Sequence, residues 1–238
     1  MKLIPLTISR VSHNIYFFLL VLLFVSVPAK SQTEKSIRVG APLTLELEKE
    51  LSRNLSLILE EEIRLENNGI GFNRTATSLG FDYSLFDKKL KVGGFYTYIY
   101  LYNNDYLFES RHRLYLNMSY KETFEPFTFM WRGRLQSTFR DENRGSYNVN
   151  PKYVLKNKFE VSYTIFGSPI KPFASVDFSN YINNPDQNFE LTRIRYSSGV
   201  NWRLNRTNYI ELFLRFDQRT DRRDPDYLGL GATYKVKL

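Results

Sequence analysis

No cysteine occurs in the 238 residues, which excludes a disulfide framework, a thiolate metal site and a lipidated N-terminal cysteine. Alanine is sparse and methionine is limited to three, so two good helix formers are in short supply. Long apolar runs are missing after Val27, and no later stretch suits a spanning helix; a membrane role for the mature chain must therefore come from strands. Convergent His, Cys or carboxylate sets at metal-ligand spacing are absent too, and the acidic stretches lack the loop geometry of a calcium site. Gly93-Gly94 and Gly229 to Gly231 precede no helix, so they read as bends or close approaches instead of phosphate loops, and no cofactor is expected.

What is abundant is aromatic: 17 Tyr and 19 Phe, at 16% with Trp, a bias suited to pleated, half-buried strands. Residues 1–31 read as a cleaved secretory signal, with Lys2 and Arg10 before the apolar core Ile15 to Val27 and small residues at Ala29 and Ser31. The alternative, a membrane anchor, needs about 20 apolar residues, more than this core supplies. Residues 32–238 then form one domain. Three of the eight net positive charges, Lys2, Arg10 and Lys30, lie in that leader, leaving +5 for the mature chain.

From Pro42 the pattern has period two. Leu43, Leu45 and Leu47 alternate with Thr44, Glu46 and Glu48; Leu55, Leu57, Leu59 and Ile63 alternate with Ser56, Glu60, Glu62 and Arg64. Leu at every second position would scatter around a helix but lines one face of a strand. The clearest case is 109–141. There Leu114, Leu116 and Met118 oppose Arg111, Arg113 and Asn117, and then Phe129, Trp131, Leu135 and Phe139 oppose Arg132, Arg134, Gln136 and Arg140. Further strands are expected at 75–86, 89–103, 153–165, 171–182, 191–204, 209–219 and 227–238. Strands this long, with one greasy face and one charged face, predict an all-β, antiparallel up-and-down transmembrane barrel of about 10–12 strands. The links alternate between tight turns, such as 52–54 and 87–88, and long polar loops, such as 103–108 and 141–152, the asymmetry of periplasmic turns and extracellular loops. Eleven strands are countable, but even numbers are the rule for single-chain bacterial barrels. A short extra strand at 35–40, turning at Gly40-Ala41-Pro42, would give twelve; one strand fewer would give ten.

The blocks LTLELEKELSRNLSLILEEEIRLENN, SLGFDYSLFDKKLKVGGFYTYIY, RHRLYLNMSYK, FMWRGRLQSTFRDE and LGLGATYKV together resemble a family of bacterial outer-membrane barrels catalogued only as a domain of unknown function (DUF2490-like). The resemblance implies the barrel and its outer-membrane setting in a Gram-negative bacterium. It implies no activity and assigns no functional residue.

The expected lumen face carries Glu46, Glu48, Glu60, Glu62, Arg64, Arg111, Arg113, Arg132, Arg134, Lys156, Lys158, Glu160, Arg193, Arg195 and Arg215. Closure would set the Glu-rich beginning beside the Arg- and Lys-bearing end, where opposite charges pair across strands and fill a narrow lumen. Basic rings left unpaired would instead favour a small anionic solute. Outward, Tyr96, Tyr98, Tyr100, Tyr102, Trp131, Phe139 and Trp202 read as lipid-facing residues and an interfacial girdle, facing outer-membrane lipid and lipopolysaccharide. Insertion of such a barrel implies the barrel assembly machinery as a partner. Bases that alternate with Leu and Phe, instead of forming a patch, argue against nucleic acid.

The functional expectation is a non-enzymatic outer-membrane barrel, structural or concerned with binding or passage of a small solute. One alternative is a lipid or ester hydrolase centred on His112, the only His of the mature chain, beside Ser110 on the outward face. Another is a secreted soluble barrel holding an apolar ligand, which would turn the Leu faces inward.

Overall fold

The computed structural model describes residues 36–66, 71–102, 108–142, 149–220 and 225–238, and the expected signal segment 1–31 lies outside them. Eleven strands follow one another: β1 Ile37–Glu50, β2 Leu55–Glu66, β3 Gly71–Leu85, β4 Leu90–Tyr102, β5 Phe108–Phe124, β6 Phe127–Arg140, β7 Lys152–Tyr163, β8 Ile170–Tyr181, β9 Glu190–Arg203, β10 Asn208–Arg219 and β11 Asp226–Lys237. Each is hydrogen-bonded to its sequence neighbours, and β1 closes on β11, so the sheet is a barrel without a free edge. A closed ladder of this kind pairs the backbone polar groups that a hydrocarbon environment would leave without partners.

Side-chain alternation sets the two faces. Leu43, Leu45, Leu57, Leu59, Leu79, Leu114, Leu116, Leu135, Leu212 and Leu230 are exposed on the outer wall, while Glu48, Ser78, Thr97, Gln136, Asp177, Arg215 and Asp217 are buried within. Apolar outside and polar inside is the arrangement of a transmembrane barrel, the reverse of what the soluble-barrel alternative requires. That alternative therefore falls. The turn between β3 and β4 has left-handed backbone at Phe86, Asp87 and Lys88, with φ of 48°, 52° and 65°. Positive φ across a short hairpin link matches the twist of the flanking strands, although only glycine adopts it without steric cost.

The expectation of an even strand number is corrected. Among the described residues no separate strand precedes Pro42: β1 runs unbroken through Gly40, Ala41 and Pro42, and the strands number eleven. An odd ring cannot alternate direction all the way around, so one contact is parallel. It is the closing one, with Val39 opposite Leu228, Leu43 opposite Ala232 and Leu47 opposite Val236. The β1–β11 register skips Ala41 and Pro42, where proline has no N–H to contribute to the ladder. β1 consequently starts at the rim that carries the long loops, and β11 ends at the rim of the tight turns.

A few aromatic rings sit among the polar groups of the wall's inner side. Phe95 stacks on Tyr115 with ring centroids 4.9 Å apart. Phe213 lies in space left by two glycines: a Cβ at Gly231 would enter its ring, and one at Gly199 would strike the Leu212 carbonyl oxygen and the Phe213 backbone. These are the close approaches that the glycines in the strands imply.

In this cysteine-free chain, the pairs Val39→Cys/Leu228→Cys and Leu47→Cys/Val236→Cys should both form disulfides, read as gel-mobility shifts; an antiparallel closure satisfies at most one of them. Gly199→Val should cost about 1–3 kcal/mol of stability through overpacking against backbone, measured as a lowered urea midpoint of the folded barrel in detergent.

Candidate functional site

The inner face is built by strand parity alone. With side chains alternating along each strand, all fifteen charged residues expected in the lumen point inward, and ladder register decides which of them meet. At the closing seam Lys235 lies 2.6 Å from both Glu46 and Glu48, and Lys237 lies 3.8 Å from Glu48. This brings the acidic first strand and the basic last strand together. At the long-loop end Glu62 serves two guanidinium groups, Arg74 at 2.6 Å and Arg64 at 3.4 Å. On the adjacent strands β9 and β10 Asp217 takes a bidentate bond from Arg195, at 2.7 and 2.9 Å, with Arg215 at 3.4 Å and Arg193 at 3.7 Å. Arg111 makes a two-pronged contact with Glu109, and Lys158 pairs with Glu160 at 2.6 Å. Such charge-assisted forks are among the strongest polar contacts available to a protein interior.

Pairing does not consume the positive charge. In the long-loop half of the lumen the walls enclose a cavity of about 260 Å³, lined by nine cationic side chains, Arg64, Arg74, Arg113, Arg134, Lys152, Lys156, Arg193, Arg195 and Arg219, and by two carboxylates, Glu60 and Glu62. At roughly 30 Å³ per water, this is room for several waters or one small solute. Tyr115, Ser78, Thr97 and Gln136 contribute further polar groups to the lining. Arg134 lies over the Tyr115 ring at 4.1 Å, which fixes its guanidinium against the wall. Arg132, by contrast, does not line the cavity; it stands opposite Lys158, nearer the tight-turn end. Glu46, Glu48 and Glu160 also belong to that lower half.

Several members of this arrangement escape a sequence reading. Arg74 is among the first residues of β3 and looks like loop until the strand is seen to begin at Gly71. Glu109, only 2% exposed, heads the expected stretch 109–141, and its shared parity with Arg111 and Arg113 is the signal that marks it as inward. Tyr115 and Tyr227 face inward among outward-facing aromatics, and strict alternation is the signal that marks them.

On the outer wall Tyr96, Tyr98, Tyr100, Phe139 and Trp202 are exposed; Tyr102 and Trp131 share that face and are half-covered by neighbours. Trp131 donates from Nε1 to Asn157 Oδ1 at 3.3 Å. Ser110 and His112 have separate partners: Ser110 Oγ is 2.8 Å from the Tyr98 hydroxyl, and His112 Nδ1 is 2.7 Å from the Tyr96 hydroxyl. A nucleophile and its base need a bond to one another, and here each is engaged by a tyrosine. Among the described residues no group of three or more His, Asp or Glu is placed to hold a metal ion.

Three solved structures are similar to this chain over much of its length. A bacterial polysaccharide outer membrane secretin matches at TM-score 0.42 and 14% identity over 78% of this chain and 73% of its own. The beta domain of the Bordetella autotransporter BrkA matches at 0.42 and 13% over 78% and 84%, and the translocator domain of the autotransporter NalP from Neisseria meningitidis at 0.33 and 10% over 88% and 91%. No curated protein sequence matches this chain. A family model does, over residues 41–228, from the Ala41-Pro42 step in β1 to the opening of β11. With nearly the whole ring of strands inside that match, the chain belongs to the family described as Protein of unknown function (DUF2490).

Proposed function

We propose that this chain is a non-enzymatic barrel of a Gram-negative outer membrane, exported through the periplasm, that admits small anionic solutes into the basic chamber at its long-loop end. The single observation behind this reading is the composition of the chamber wall, nine cations against two carboxylates. In a confined site with low-dielectric walls an excess of fixed positive charge concentrates anions. On this reading outer-membrane lipid and lipopolysaccharide cover the Leu and aromatic wall, and the barrel assembly machinery inserts it. The ion pairs at Glu62 and Asp217 then act as struts that hold arginines in place, while the excess cations do the attracting.

Reconstitution in planar bilayers under a salt gradient should give a reversal potential of the sign expected for anion preference. A cation-selective barrel would overturn the reading, and absence of conductance at any salt would leave binding without passage. Recovery of the protein as soluble periplasmic material without detergent would refute the membrane assignment itself. Glu62→Gln should strengthen anion preference and at the same time destabilise the barrel by roughly 3 kcal/mol, because Arg64 and Arg74 lose their shared carboxylate; reversal potential and urea midpoint measure the two effects separately.

A further inference from the structure

One wall of the chamber holds cations that no carboxylate answers. Arg113 on β5, Arg134 on β6 and Lys156 on β7 all line the cavity. Arg134 and Lys156 are directly opposite one another in the β6–β7 ladder. Like charges in that relation destabilise a sheet. Elsewhere in the lumen the same difficulty is solved by an acid, as Asp217 does for Arg193, Arg195 and Arg215. On this wall none of the three cations has an ion-pair partner among the described residues: Glu60, which also lines the chamber, makes no bridge to them, Glu62 is bridged to Arg64 and Arg74, and Asp177 is 4.0 Å from Arg193.

The two arginines are nevertheless held firmly. Arg134 donates from Nε to Asn117 Oδ1 at 2.8 Å and lies over Tyr115; Arg113 donates from Nε to Thr138 Oγ1 at 3.2 Å, and that hydroxyl also takes a bond from Gln136 Nε2 at 3.3 Å. Both anchors engage Nε. They leave the terminal guanidinium nitrogens and the Lys156 ammonium without a hydrogen-bond partner among the described residues, facing the cavity. Side chains fixed at the neck and unfilled at the tip are preorganised for a ligand, because the entropy of ordering them is already spent.

We infer that Arg113, Arg134 and Lys156 form a binding site for a dianionic tetrahedral oxyanion, the phosphoryl or sulfuryl group of a small solute. Planar forks match pairs of oxygens on one such group, and the ammonium supplies a point charge to a third. A halide offers no oxygens for the forks, and a single carboxylate leaves two of the three charges unanswered. The inference rests on the reading that the chamber admits anions, and it names the anion.

The test is isothermal titration of the purified barrel in detergent with inorganic phosphate, sulfate, a hexose phosphate, acetate and chloride at constant ionic strength. Phosphate and sulfate should bind saturably, and acetate and chloride at least about tenfold more weakly. Arg134→Gln and Lys156→Gln should each weaken phosphate binding about tenfold or more, whereas Lys89→Gln, at the tight-turn rim, should leave it unchanged. In phosphate-free buffer Lys156→Gln should unfold at a higher urea concentration than the wild type, since it removes the opposed like charge; a purely structural lysine would give the reverse. Tighter binding of hexose phosphate than of inorganic phosphate assigns the site to phosphorylated solutes, and the opposite order to the free ion; both uphold it. No saturable binding of phosphate or sulfate by the wild-type barrel overturns the site, as does an equal loss in Lys89→Gln. Anion-selective conductance without phosphate binding removes this site and keeps the passage reading, while phosphate binding without conductance does the converse.

Discussion

Everything in this barrel depends on closing a sheet whose every strand lies against apolar surroundings. An open edge in hydrocarbon would strand a row of N–H and C=O groups at several kcal/mol each, so β1 must find β11 whatever direction it runs. It runs parallel. Parallel pairing is slightly less favourable per residue, and Pro42 interrupts the ladder near its middle. Lys235, held between Glu46 and Glu48, fastens the tight-turn end of the same seam. The acidic first strand thus serves closure before it serves any solute.

With closure achieved, the lumen becomes a place where charges cannot be diluted by bulk water, and the chain uses two solutions there. Around Glu62 and Asp217 each carboxylate is shared among several arginines. At Arg113 and Arg134 the guanidinium groups are supported by neutral groups, Asn117, Thr138 and Tyr115, with no ion pair to an acid among the described residues. The first solution rigidifies the wall. The second leaves it with a charge to be satisfied from outside.

Much of this is legible in the residue order, for a definite reason. Period two decides the face of every side chain once a strand is recognised, so Arg111, Arg132 and Arg134 could be sent inward and Leu114, Trp131 and Phe139 outward without coordinates. What period cannot supply is the neighbour across a seam distant in sequence. The parallel β1–β11 contact was hidden behind the rule of even strand number, and the continuity of β1 through Gly40-Ala41-Pro42 behind two residues that ordinarily signal a turn. Strand limits were the other blind spot: Arg74 stands at a strand start where loop composition begins, and it belongs to the charged interior. Glycine in a strand announced close approach, but only the fold identifies Phe213 as the ring that fills the space.

The odd count of strands also gives the barrel a polarity that an even one lacks. In an even ring the first strand enters and the last strand leaves at the same rim, so both ends of the barrel sequence face one compartment. Here β1 enters among the long loops and β11 leaves among the tight turns. The wall is therefore also a crossing: the ring's own chain, followed from Ser36 to Leu238, passes from the long-loop rim to the tight-turn rim.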